Sequence, residues 1–311
     1  MTETSCVLAG DVGGTNLRVA VVANDGSILH RLSVDTPQTG DISDIEHAIH
    51  TAALSCIEAV SDKCRPVAFG LALAALVNYR ESLILSSPNL PELNSHPLAA
   101  NLSSSLGLKV VLENDAMAAA IGEHWLGASA EAEHSIFITL GTGVGGGLIL
   151  NGEPFRGADG TAGEVGHICV EPDGVQCGCG SHGCLEQYGS ATAIIRMAKE
   201  RGFTLDGDRP LTAAGVYGAG KSGDQVAIGI FRDMGRYLGL GLASLVNVLN
   251  PELIVIGGGV ARGWDLFIHS INTEIATRAF KHPGRRVRLI QASLGDSAGI
   301  LGAARVAFDQ G

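Results

Sequence analysis

Short apolar runs and helically spaced apolar positions follow one another along this chain, separated by clusters of Gly, Asn, Asp and Pro. Residues 5–10 (SCVLAG) are continuously apolar or small and predict a buried strand. Leu17–Ala23 and Ser27–Val34 predict two more, joined at Asn24-Asp25-Gly26, a hairpin signal. Apolar residues at 42, 45, 49, 53, 57 and 60 predict a helix over Ile42–Val60. Pro66–Leu73 reads as a strand, the stretch from Ala74 to Pro91 as a loop, and Leu98–Leu106 as a short helix. Strand Lys109–Leu112 then leads into an alanine-rich helix over Ala116–Trp125. Strands at Ser135–Leu140 and Leu148–Leu150 flank a glycine loop, and an Asn151-Gly152 turn follows. Helices are predicted over Ala191–Arg201, Ala213–Tyr217 and Gln225–Leu249, the last stopping before Pro251. Strand Leu253–Ile256, helix Trp264–Phe280, strand Arg286–Ile290 and a small-residue helix from Ser297 to Phe308 complete an α/β pattern.

Part of this pattern occurs twice. Strand, glycine turn, strand and hairpin open the chain and recur roughly 130 residues later, which reads as an internal duplication. In the first copy, Gly13-Gly14-Thr15 can offer backbone N–H groups and a hydroxyl to phosphate, and Asp11 can hold Mg²⁺ through water. An ordinary glycine hairpin with a structural Asp is the competing reading. The second copy, Gly141-Thr142-Gly143-Val144-Gly145-Gly146, satisfies G-x-G-x-x-G, but that dinucleotide fingerprint must open a helix and here a strand follows. Gly215–Ser222 matches the P-loop pattern letter by letter, yet no strand precedes it, so it reads as a glycine-rich link between two helices. Gly257-Gly258-Gly259, after a strand, can let a base or ribose approach bare backbone; a strand-to-helix turn without a ligand fits as well.

Composition narrows the class. The 311 residues are 46% hydrophobic and 17% charged, which describes a globular chain of one large or two ordinary domains. No apolar run approaches the roughly 18–20 residues a bilayer requires. The first residues carry no basic region and no apolar leader, so a cytoplasmic protein with reduced thiols is expected. A net charge of −11, without clustered Lys and Arg, disfavours nucleic acid and membrane as partners.

Chemistry concentrates in two places. Glu113-Asn114-Asp115 sits at a strand's C-terminal end, where open α/β sheets bind ligands. Asp115 reads either as the N-cap of the following helix or as a general base. Further on, His167 precedes Cys177, Cys179 and Cys184, bracketed by Glu164 and Glu186. Four such ligands can close a tetrahedral zinc site with no open position; a disulfide or three unrelated thiols is the alternative. Glycines 178, 180 and 183 suit a tight knuckle.

Taken in order, these pieces resemble the ROK family of sugar kinases. The likeness rests on Asp11-Val12-Gly13-Gly14-Thr15, Glu113-Asn114-Asp115, Thr139–Gly147, Arg156-Gly157-Ala158, Glu164-Val165-Gly166-His167, Cys177-Gly178-Cys179-Gly180 with Gly183-Cys184-Leu185-Glu186, Gly257-Gly258-Gly259 and Ser297-Ala298-Gly299. The resemblance implies a two-lobed actin-like ATPase (ribonuclease H-like) fold with an inter-lobe cleft. One lobe would span residues 1–115, joined by a C-terminal helix over 296–311, and the other residues 116–295. It implies transfer of the γ-phosphate of MgATP to a hexose hydroxyl, usually O6, with Asp115 as base. Asn114, Glu164, His167 and Glu186 would bind sugar, with Ala75 and Asn89 in the same pocket and Leu76 shaping it. Asp11, Gly13, Gly14, Thr15, Asn16, Thr142 and Gly143 would hold phosphates and metal, Gly257 and Gly258 the nucleoside. His167, Cys177, Cys179 and Cys184 would hold a structural Zn²⁺. Ala74-Ala75 departs from the Pro-Gly common in the family, which leaves the sugar open.

Glucose is the first expectation; N-acetylglucosamine, N-acetylmannosamine, mannose, fructose and allose are rivals, and polyphosphate is a rival donor. A sugar-responsive repressor would need a DNA-binding segment ahead of residue 11, and a non-catalytic sugar-binding protein would leave Asp115 without a role. The family resemblance implies a homo-oligomer, either a dimer or a tetramer.

Overall fold

The computed structural model describes residues 5–87, 90–205 and 209–310. In chain order its elements are β1 (Cys6–Val12), β2 (Asn16–Ala23), β3 (Ile28–Asp35), α1 (Ile42–Ala59), β4 (Pro66–Leu73), β5 (Leu76–Asn78), β6 (Leu83–Ser86), α2 (Leu98–Leu106), β7 (Lys109–Asn114), α3 (Asp115–Leu126), β8 (Ser135–Leu140), β9 (Val144–Leu150) and β10 (Glu153–Pro154). They continue with α4 (Glu186–Gly189), α5 (Ala191–Glu200), α6 (Ala213–Lys221), α7 (Gln225–Leu249), β11 (Leu253–Gly257), α8 (Trp264–Arg278), α9 (Lys281–Arg286), β12 (Arg288–Gln291) and α10 (Ala298–Gln310). Two compact units result: residues 1–131, 147–163 and 293–311 form the first, and 132–146 with 164–292 form the second.

The first unit is built on a sheet of order β3-β2-β1-β4-β7, with β1 antiparallel to β2 and parallel to β4. Strand alternation splits its core in two. Cys6, Leu8 and Val12 point into a cluster with Ile45, Ile49 and Leu102 of α1 and α2. Val7 and Ala9 point the other way, toward Ile121 of α3 and Ile300, Ala303 and Ala304 of α10. Helix α3 therefore belongs with the first unit, where the sequence reading assigned it to the second lobe; the reason is its packing on α10. That packing is backbone-close, because a Cβ on Gly302 would collide with the carbonyl oxygen of Ala118. Gly302→Ala is expected to destabilise the protein by about 3 kcal/mol, the upper end for overpacking. A thermal melt checks this; an unchanged midpoint would contradict the packing.

The second sheet has order β10-β9-β8-β11-β12, the same arrangement as the first. Its longest helix, α7, buries Phe231, Met234, Leu238, Leu242 and Val246 at helical spacing. Asp224 caps the start of α7 through the N–H of Ala227, and Asn250, left-handed at φ 48, ends it before Pro251. Gly235 and Gly239 let α8 approach: a Cβ on Gly239 would sit 2.6 Å from Glu274 Cβ.

Four expectations need correction. The stretch after Ala75 is a hairpin, β5 paired with β6, because Val77 and Ile84 bury while charged residues fill the turn. The P-loop lookalike is no link: Gly215–Lys221 lies within α6, whose Lys221 pairs with Asp265 at 2.9 Å. Helix α9 lies where the last strand was expected to begin, so β12 starts at Arg288. Finally, Cys6 and Cys64 form a disulfide where reduced thiols were expected. The parallel pairing of Cys6 with Pro66 brings the two Cα atoms to 6.5 Å. Among the described residues, no helix is long and apolar enough to cross a membrane.

Candidate active site

In the first unit, β1 carries Asp11 to the glycine turn. Arg18, opposite it on β2, approaches to 3.3 Å. Burial pushes the Asp11 carboxyl above its ordinary range and Arg18 pulls it back only in part. The start of α10 lies beside it, for a Cβ on Gly299 would be 3.4 Å from Asp11 Cγ. Within the turn, the Gly13 N–H donates to the Asn16 carbonyl at 3.0 Å. Gly13 therefore shapes the turn. Asn16 Nδ2 donates to Thr15 Oγ1 at 3.0 Å, orienting that hydroxyl.

β7 delivers Glu113, Asn114 and Asp115. The N-cap of α3 is Asn114, not Asp115: its Oδ1 accepts from the Met117 N–H at 3.0 Å. Asp115, first residue of the helix, accepts from the Ala116 N–H at 2.8 Å. Asn114 Nδ2 donates to the Ala75 carbonyl at 3.1 Å, while the Ala75 N–H donates to Leu73. Asn114 and the Ala75 backbone thus hold each other, whereas the sequence reading turned both toward sugar. Capping uses one lone pair of Oδ1 and the Ala75 contact uses one N–H of Nδ2, so Asn114 keeps a second acceptor site and a second donor. Asn89 lies outside the described residues.

The second unit assembles its own cluster around Val144. Gly141-Thr142-Gly143 is fixed by the Gly141 N–H donating to Gly143 O, and by Thr192 Oγ1 donating to Thr142 O at 2.9 Å. Glu186 accepts the Val144 N–H at 3.1 Å and fills the space a side chain on Gly143 would need. From the other side, Gly166 packs on the Val144 carbonyl so closely that a Cβ would collide with it. This brings Glu164, His167 and Glu186 together, with His167 Nε2 at 3.8 Å from Glu164 Oε2. Burial raises the Glu164 carboxyl, opposed by His167 and reinforced by Glu186.

The other His167 nitrogen, Nδ1, faces Cys177 Sγ at 3.6 Å, and Cys179 and Cys184 are 3.6 Å apart at sulfur. All four donor atoms lie within 4.8 Å of one another. Ligand atoms about 2.1–2.3 Å from a tetrahedral zinc would be roughly 3.5–3.8 Å apart, so the residues fit that ion. Left-handed Gly180 (φ 93) and Gly183 (φ 67) form the knuckle; Gly178 does not share that conformation. Burial pushes the Cys184 thiol up to about 12.

The Gly257-Gly258-Gly259 turn, expected to meet the nucleoside, is closely packed at its first two residues. Gly258 is left-handed at φ 85 and packs on the Leu140 backbone, and a Cβ on Gly257 would be 3.1 Å from Ala292 Cβ. A side chain at Gly257 or Gly258 would meet protein, whereas Gly259 has open space beside it.

Two α/β units of one topology, each with a glycine turn after its first strand, form an actin-like ATPase fold. The sequence profile of the ROK family matches residues 7–310, and the chain belongs to that family. It is 37% identical to a glucokinase of Streptomyces coelicolor over 96% of both chains. Among solved structures it is similar to a ROK hexokinase from Thermus thermophilus, with a TM-score of 0.84 and 33% identity over 98% of each chain. A ROK glucokinase from Streptomyces griseus, in complex with glucose and AMPPNP, gives 0.82 and 35% identity, covering 99% of this chain and 100% of that one.

Proposed function

We propose that this chain is an ATP-dependent hexose kinase that phosphorylates the 6-hydroxyl of glucose. The observation that carries the reading is Asp115, held at the end of β7 with helix capping taken over by Asn114. A carboxylate relieved of that duty can accept the hydroxyl proton as phosphoryl transfer proceeds. Glu164, His167 and Glu186 supply acceptors for sugar hydroxyls, and Thr15, Thr142 and the turn N–H groups supply donors for phosphate. Asp11 would hold Mg²⁺ through water, and the ion would supply charge neutralisation at the transferred phosphate. His167 Nδ1 and the three cysteines hold a structural zinc, leaving Nε2 for sugar. A cytoplasmic homo-oligomer, dimer or tetramer, is the expected setting, and light scattering on the purified chain measures its size.

A coupled ADP-release assay over hexoses and N-acetylhexosamines tests the function. Release that depends on sugar, strongest with glucose, is the expected result. Absence of release with ATP and every sugar would overturn it, and turnover with polyphosphate alone would replace the donor.

The charge on Asp11 gives a pH prediction. Binding of MgATP needs the anion, and burial raises the Asp11 carboxyl. Activity at low MgATP should therefore fall on the acid side at a pH above the ordinary carboxylate range of about 4. Arg18 lowers that carboxyl, so Arg18→Gln is expected to move the acid limb further up in pH. A pH profile of kcat/KM for MgATP reads the shift; an unmoved limb would remove Asp11 from this role.

A further inference from the structure

Glu113 is 1% exposed and follows the apolar run Val110–Leu112 in β7. Its Oε2 takes the Arg156 Nε–H at 2.7 Å, and its Oε1 takes the N–H of Asn114 at 3.1 Å. Burial pushes the Glu113 carboxyl up and Arg156 pulls it down. The Arg156 guanidinium also lies over the Tyr79 ring, 4.5 Å from its centroid. Tyr79 follows β5 directly. The loop that begins at Arg156 is closed by the Ala162 N–H donating to Arg156 O at 3.1 Å. It packs on the same hairpin, since a Cβ on Gly160 would be 3.2 Å from Tyr79 N and 2.5 Å from Val77 O.

Two consecutive residues immediately before Asp115 therefore grip one hairpin from two sides. Asn114 holds its entry through the Ala75 carbonyl. Glu113 holds its turn through Arg156, by a charge-assisted bond on one side of the guanidinium and a cation–π contact on the other. We propose that Arg156 is a positioning residue for sugar phosphorylation: it sets the β5–β6 hairpin in register with Asp115, so that the wall beside the sugar and the base move as one piece. The proposal rests on the kinase reading above for its effect on turnover, and on geometry alone for the clamp.

The test uses the full chain with Arg156→Gln, Arg156→Lys and the double variant Glu113→Gln/Arg156→Gln. Steady-state kinetics, thermal melting and amide hydrogen exchange over residues 74–87 are measured on each. Arg156→Gln leaves a buried carboxylate alone, so loss of stability is expected whatever the residue does. The double variant removes that buried charge and isolates the positioning effect. In it the melting point is expected to return toward wild type, while the sugar KM stays raised about 30-fold and the MgATP KM stays within about 3-fold. Exchange over 74–87 is expected to be about 10-fold faster than in wild type. Arg156→Lys keeps the charge without the planar stack and is expected to fall between the two. Recovery of both melting point and sugar KM in the double variant would overturn the proposal, as would unchanged exchange. If the wild type turns over no sugar, the kinase reading fails; the exchange comparison then decides the clamp alone, faster exchange upholding it and unchanged exchange overturning it.

Discussion

Asp115→Asn is expected to reduce kcat by about 10³–10⁴-fold while sugar affinity changes by no more than about 3-fold. The substitution isolates the chemistry unusually well. The bond from the Ala116 N–H to Oδ1 can be kept by an amide oxygen, and the N-cap of α3 belongs to Asn114. A thermal melt of the variant, read beside the kinetics, separates any loss of stability from the loss of turnover. What disappears is an acceptor for the hydroxyl proton, since an amide cannot take one at neutral pH. Calorimetric titration with glucose, beside the ADP-release assay, separates binding from turnover. Near-normal turnover would remove Asp115 from the role of base, and a large loss of sugar affinity with retained kcat would make it a binding residue.

Removing the zinc is expected to have the largest effect on the second unit. The purified chain should carry about one zinc, and Cys179→Ser should lower metal content and melting temperature together. Structural zinc contributes an apparent 10–16 kcal/mol in small domains, about ten times a typical capping bond. Backbone bonds within the knuckle, such as Cys177 N–H to Ser181 O and Gly180 N–H to Cys177 O, retain part of the shape. A loss on the order of 5 kcal/mol is therefore expected, or roughly 10–20 °C in a unit of this size. Sugar KM should rise as well, because His167 joins the cysteines to Glu164 and the helix of Glu186 starts two residues after Cys184. A folded, fully active protein free of metal would refute the assignment.

Sequence pattern carried most elements because their periods are local. The apolar stripe of α7 and the buried run of β4 needed no knowledge of the rest of the chain, and both were bounded where the pattern ended. The site was legible where a motif is compact, as in Glu164-Val165-Gly166-His167 with its cysteines. It was not legible where one atom must choose between partners. Asn114 and Asp115 are both good caps, and only the backbone angles decide that Asn114 lies outside the helix. Gly13 spends its N–H on the Asn16 carbonyl and Gly257 has no room for a side chain, constraints that residue type alone does not report. The Glu113–Arg156 pair spans 43 residues, and no local period encodes it. A carboxylate directly after the apolar run Val110–Leu112 was the available signal, since buried carboxylates require partners. The Cys6–Cys64 disulfide was hidden for a similar reason: it follows from the parallel pairing of β1 with β4, which sequence spacing does not report.

Helix α10 has a consequence for synthesis. It supplies Ile300, Leu301, Ala303, Ala304, Val306 and Ala307 to one side of a sheet whose strands are made some 200 residues earlier. On the ribosome, the unit begun first is the one finished last. Until α10 emerges, the face of β1 and β4 that bears Val7, Ala9, Ala68 and Ala72 lacks its cover, and exposed apolar sheet is what chaperones bind and aggregates grow from. Lesions in the last dozen residues should therefore appear as loss of soluble yield during expression.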